Sequence, residues 1–80
     1  MMRVLNMSLD EWRVYFRRET DDAGGVRAMA RRLDVSAAYV SDVLLGKRTP
    51  GPRILRPYGF RAERTTIVRI VKDVPLRRPS

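Results

Sequence analysis

The sequence predicts a mainly α-helical single domain of about four short helices with one C-terminal β-strand. Three observations carry that prediction. Apolar residues recur at helical spacing from Leu9 to Leu45. Ser8 and Ser36 stand where helices begin, and Ser8 is followed three positions later by Glu11. The β-branched run Thr65-Thr66-Ile67-Val68-Arg69-Ile70-Val71-Lys72 comes only after the helical pattern has ended. Eighty residues make one domain, near the size below which a single core seldom suffices, so a staple or a partner subunit is expected.

Taken in order, Arg3 to Met7 reads as a short strand or an ordered arm. Ser8-Leu9-Asp10-Glu11 is a capping box, so the first helix begins there. Leu9, Trp12 and Phe16 share its core face with Tyr15 beside them, while Arg13, Arg17 and Arg18 point mostly away. The helix is expected to fade over Glu19-Thr20-Asp21-Asp22, and Ala23-Gly24-Gly25 turns the chain. Val26 to Leu33 is the second helix, and Ser36 caps a third that ends at Gly46. Two prolines and a glycine make Lys47 to Pro52 a loop. Pro52 then opens a fourth helix through Arg56, which Pro57 cuts after about one and a half turns.

The helical part is thus residues 8–58, the strand 65–73, and a mobile basic tail 75–80. A lone strand leaves a row of unpaired backbone groups. This one is expected to pair with Arg3 to Met7, with the same strand of a second copy, or with both. Ile67, Val68, Ile70 and Val71 are its candidate dimerisation residues; Ile54 and Leu55 of the fourth helix are the alternative interface.

Composition excludes several kinds of chemistry. The chain has no cysteine and no histidine, which removes disulfides, thiolate metal sites and imidazole acid–base work. No nucleophile–base pair or metal-ligand cluster stands out, so the expectation is a non-enzyme without cofactor, metal or small-molecule ligand. No apolar run approaches the ~20 residues of a membrane span, and the N-terminus lacks the apolar centre of a secretory signal, which predicts a cytoplasmic protein without a membrane partner. The net charge of +8 is unevenly placed: residues 1–46 hold seven basic and seven acidic side chains, and residues 47–80 hold ten and two. A polyanion is attracted to that second half.

Val26, Met29, Ala30 and Leu33 fall at i, i+3, i+4 and i+7, and after the break at Asp34-Val35-Ser36 a second set follows in Val40, Val43 and Leu44. Two short helices about a tight corner form a helix-turn-helix pattern. At MARRLDVSAAYVSDVLLGKRTPGP the chain resembles the Cro and lambda-repressor group of phage regulators, the XRE-type helix-turn-helix proteins. Ala30 matches the small residue where the helices approach, Leu33 and Val35 the apolar pair flanking the turn, and Val40 and Val43 the core positions of the recognition helix. The resemblance covers roughly residues 8–57. Two positions depart from it: Asp34 stands where glycine is usual, and Val26 stands where a polar phosphate contact is frequent. Asp tolerates the left-handed backbone better than most residues.

The resemblance implies a lambda-repressor-like domain whose base-facing residues are Ser36, Ala37, Ala38, Ser41 and Asp42. No Arg is present among them to grip guanine, and no Asn or Gln to grip adenine. Methyl contacts from Ala37 and Ala38, hydroxyl bonds from Ser36 and Ser41, and Asp42 accepting from cytosine remain. The alternative for Asp42 is a pair with a nearby Arg. Phosphate contacts fall to Arg27, Tyr39, Lys47, Arg48 and Arg53, with Arg31 and Arg32 weaker candidates. So few base-reading groups leave much of the binding to phosphates and DNA shape.

The expected function is therefore a duplex-DNA-binding transcriptional regulator, a repressor of phage or prophage type, acting as a homodimer on a pseudo-palindromic operator. By the resemblance it works in the bacterial host cell, associated with the nucleoid. A second reading is a protein-interaction module, antitoxin-like or anti-repressor, whose exposed C-terminal strand augments a partner's sheet. A third is single-strand or RNA binding through Tyr39, Tyr58 and Phe60 as stacking platforms, although a core role also explains these aromatics.

Overall fold

A computed structural model describes residues 2–64 and 67–75. The element order is β1 (Met2–Ser8), α1 (Leu9–Ala23), α2 (Val26–Leu33), α3 (Ala37–Leu44), α4 (Pro52–Leu55), a 3-10 turn (Arg56–Tyr58), β2 (Phe60–Arg64) and β3 (Val68–Pro75). The chain is an α/β domain of four helices and a three-stranded antiparallel sheet. The four short helices, the C-terminal strand and its pairing with the strand at Arg3 to Met7 are as expected, and the unexpected third strand, β2, makes the chain α/β rather than mainly α.

Local chemistry explains where the helices start and stop. The Ser8 hydroxyl accepts the Glu11 N–H at 3.1 Å, and the Glu11 carboxylate accepts the Ser8 N–H at 3.0 Å, completing the capping box. The helix it opens runs to Ala23, beyond the expected fading point, and Thr20 is buried within it with its hydroxyl donating to the Phe16 carbonyl at 2.8 Å. Gly24 ends it at φ 106°, a left-handed position where a side chain is strained. Helix α2 spans the expected Val26–Leu33, α3 ends at Leu44 ahead of the expected Gly46, α4 ends at Leu55 one residue before the expected Arg56, and the turn at Arg56–Tyr58 is where Pro57 forbids further α-helix.

The sheet order is β1-β3-β2. Ile70 on β3 lies between Met7 of β1 and Ala62 of β2, and Val71 lies between Asn6 and Arg61. Thus β3 is the central strand, paired on both edges within its own chain from Arg69 to Lys72. Expected at 65–73, it is observed at Val68–Pro75, with Ile67 in the bend before it; Thr65, Thr66 and the tail after Pro75 lie outside the described residues.

One face of the sheet packs on the helices. Trp12 and Phe16 stack with ring centroids 4.8 Å apart and join Met29, Val40, Val43, Ile54 and Ile70 in a fully buried core. Each such side chain contributes about 1.5–3 kcal/mol through burial. On the other face, Val71 is also buried, flanked by a polar network. In it Arg69 donates to Asn6 at 2.7 Å, and Arg61 bonds Asp73 at 2.6 Å and Glu63 at 3.2 Å.

Candidate nucleic-acid interface

The corner between α2 and α3 is built from side chains that leave one surface of α3 free. Met29, Ala30 and Leu33 of α2 are buried against Val40 and Val43 of α3. Asp34 closes α2 at φ 57° and ψ 49°, the left-handed conformation the corner requires. The Val35 N–H then reaches back to the Ala30 carbonyl at 3.0 Å, and the Ser36 hydroxyl caps α3 by accepting the Tyr39 N–H at 3.1 Å.

With Val40 and Val43 turned inward, Ala38, Ser41, Asp42 and Leu45 form a stripe at i, i+3, i+4 and i+7 on the opposite side of the helix. Ser36 and Ala38 are exposed, and Ala37, Tyr39, Ser41 and Asp42 are half-buried. Leu45 is the residue that sequence reasoning missed. It is 63% exposed at the end of this stripe, and its position seven residues after Ala38 was the available signal.

Behind α3 the basic loop is held by backbone and aromatic contacts. The Asp42 carbonyl accepts the Lys47 N–H at 2.8 Å and the Arg48 N–H at 3.3 Å, which folds the loop against the helix end. The Arg48 guanidinium lies 5.6 Å from the Tyr39 ring centroid, and its Nε is 3.9 Å from the Asp42 carboxylate. Asp42 is therefore shared with a neighbouring cation through a long, exposed pair worth at most about 1 kcal/mol. The Tyr39 hydroxyl accepts the Gly51 N–H at 2.7 Å. Arg53 reaches the corner, with its guanidinium 3.4 Å from the Asp34 carbonyl and 3.5 Å from the carboxylate.

These contacts bring Ser36, Ala37, Ala38, Tyr39, Ser41, Asp42, Arg48 and Arg53 together around one helix. Lys47 is exposed beside them on the same loop. Arg27, Arg31 and Arg32 are exposed on α2, and no hydrogen bond or ion pair among the described residues joins them to this cluster.

The four strand residues expected at a dimer interface are placed differently. Ile70 belongs to the helix-facing core, Val71 is buried on the other face, and Val68 packs partly against the core. Only Ile67, 60% exposed, presents an apolar surface. Between Arg69 and Lys72 both edges of β3 are already paired, by β1 and by β2, whereas Asp73 to Pro75 extend past the end of β2 and, among the described residues, have a strand partner on the β1 side alone. Ile54 and Leu55, the alternative interface, are also buried in the core. Tyr58 and Phe60 pack with Tyr15, and the Tyr58 hydroxyl donates to the Met29 sulfur at 3.4 Å, so those two aromatics serve the interior.

No helix among the described residues is long and apolar enough to cross a membrane. No family model matches the chain, and no match to it was found among curated proteins or solved structures.

Proposed function

We propose that this chain is a duplex-DNA-binding transcriptional regulator of the Cro and lambda-repressor kind, with α3 as its recognition helix. The observation that carries the reading is the free stripe Ala38, Ser41, Asp42 and Leu45 on a helix whose other side is locked into the core, with Lys47, Arg48 and Arg53 gathered around it. A helix presented in this way fits the major groove, and the flanking cations meet phosphates. Base reading then falls to Ser36, Ala37, Ala38, Ser41 and Asp42, and phosphate contact to Lys47, Arg48, Arg53 and, from α2, Arg27. Repression follows when a bound dimer occludes a promoter.

Two copies reading successive major grooves place their α3 helices ~34 Å apart. A flat body of 38 × 36 × 18 Å is compatible with that spacing when two molecules lie side by side. The interaction-module reading needs a free edge on the C-terminal strand, which β3 offers only over Asp73–Pro75, beyond the end of β2.

Titrating labelled duplex DNA by fluorescence anisotropy at several salt concentrations tests the proposal. A binder that neutralises several phosphates loses affinity steeply with salt, and Arg48→Ala weakens all sequences alike while lowering the salt slope by about one. Absence of duplex binding at low salt overturns it.

A further inference from the structure

The strand order leaves β2 with one edge facing away from β3. A cleft of about 290 Å³ lies beside it, lined by Pro50, Leu55, Arg56, Phe60, Ala62 and Arg64. Arg61 lines the same cleft. Phe60, Ala62 and Arg64 lie on one face of β2 and Arg61 on the other, so a hollow touching all four follows the edge of the strand rather than one face. Among the described residues no backbone bond from outside the sheet reaches β2, so its outward backbone groups are open to another extended segment.

The five residues of β2, Phe60-Arg61-Ala62-Glu63-Arg64, decide what fits. When an edge strand pairs with its own copy across a two-fold axis, the strands run antiparallel and opposed residues share a face. The axis must then pass through a residue, and within β2 three centres are available. Centring on Arg61 sets Arg61 against Arg61 of the second copy, and centring on Glu63 sets Glu63 against Glu63; both oppose like charges. Centring on Ala62 sets Arg61 opposite Glu63 twice, Phe60 opposite Arg64 twice, and the small Ala62 against itself. In that register Arg61 and Glu63 each meet an opposite charge, and no like charges are opposed. The other edge strand has no such property, because β1 carries a single charged residue, Arg3.

We propose that two copies of this chain join through β2, as antiparallel strands centred on Ala62, making one continuous six-stranded sheet. The stem of each Arg64 enters the partner's cleft beside Phe60. Arg61, already within reach of Glu63 on its own strand at 3.2 Å, turns to share Glu63 of the second copy. The interface takes the place of a contact through Arg69–Lys72 of β3, where both edges are already paired. It rests on the two-copy part of the proposed function and is independent of DNA binding.

The test is sedimentation of the full chain without DNA, so its failure leaves the anisotropy result untouched and the reverse also holds. The wild-type chain is expected to form dimers. Arg61→Glu and Glu63→Arg each weaken self-association by tenfold or more, since each sets like charges opposite one another. An equimolar mixture of these two variants regains dimers, because every opposed pair is again of opposite sign. A chain that stays monomeric at all concentrations overturns the proposal, as do variants that dimerise like wild type or a mixture that fails to associate.

A second measurement does not depend on either charge variant folding. The chain has no cysteine, so Ala62→Cys introduces a single thiol. Opposed Cα atoms about 4.5–5.5 Å apart satisfy disulfide geometry. Mild oxidation is expected to link two copies rapidly, whereas Arg64→Cys, displaced along the strand from its counterpart, links slowly. Equal rates at the two positions overturn the register.

Discussion

The Tyr39 hydroxyl accepts the Gly51 N–H at 2.7 Å, tying the first turn of α3 to the far end of the loop that carries Lys47 and Arg48. The same tyrosine ring lies under the Arg48 guanidinium. One side chain thus fixes both ends of the basic loop relative to the proposed recognition helix.

Removing that hydroxyl isolates its contribution. Tyr39→Phe keeps the ring beneath Arg48 and is expected to lower stability by about 1 kcal/mol, the usual net value of such a bond. Duplex affinity falls several-fold with an unchanged salt slope, because no cation is removed. Gly51→Ala attacks the contact from the other side. A Cβ there lies 2.9 Å from the Tyr39 oxygen, so one of the two must shift. Thermal melts with salt-dependent anisotropy check both variants, and a wild-type melt for Tyr39→Phe shows the bond to be dispensable.

Asp34 supports a second prediction. It is the one described non-glycine residue with positive φ, and its carboxylate pairs with Arg53 at 3.5 Å in an exposed setting. Asp34→Gly relieves the backbone cost and loses a surface pair of little value, so stability is expected to stay level or rise by about 0.5–1 kcal/mol. Asp34→Val places a β-branched side chain in the left-handed region and is expected to cost at least ~1 kcal/mol. Urea unfolding of the pair decides it, and equal losses for both show that the aspartate side chain, not the backbone, holds the corner.

How far the fold was legible follows from where its determinants lie. The capping box, the Asp34 corner, the Ser36 cap and the Pro57 stop are short-range devices, each set by residues within a few positions, and the structure has all four. Strand β2 was not legible. Phe60-Arg61-Ala62-Glu63-Arg64 contains no β-branched residue and is extended because β3 pairs with it, a tertiary cause that no local window holds. The central place of β3 was hidden for the same reason, and with it the burial of Ile70 and Val71. Within the candidate site, the outward side chains of α3 followed from the inward positions of Val40 and Val43. The Tyr39 to Gly51 bond spans a loop and left no sequence signal.

The capping box predicts an acid response. The Glu11 carboxyl is held below its ordinary range, first by the Ser8 backbone N–H and then by the Ser8 hydroxyl. A depressed carboxyl contributes stability that is present above its unfolded pKa and lost as pH falls through the folded value. Glu11→Gln is expected to flatten the acid limb of stability against pH, and Ser8→Ala to cost about 1 kcal/mol at neutral pH. Calorimetric melts below pH 5 check the first, and an acid limb unchanged in Glu11→Gln removes the box as its source.

Tyr15 predicts the alkaline response. Its phenol is pushed up to about 12, first by burial among Tyr58 and Phe60, then by the Glu19 carboxylate and by Tyr58. The folded pKa lies above the ordinary value of 10.0, so the folded state holds the proton that the unfolded chain gives up. Stability from this group is therefore complete below pH 10 and is lost as pH rises toward 12. Ultraviolet titration of tyrosinate is expected to show a late ionisation that disappears in Tyr15→Phe and moves to lower pH in Glu19→Gln. Tyr15→Phe keeps the ring packing and removes the ionisable oxygen, so its stability declines less across that alkaline window. A Tyr15 ionisation in the ordinary range, with the fold intact, would show that the phenol oxygen stays hydrated beside α1 and that burial does not govern it.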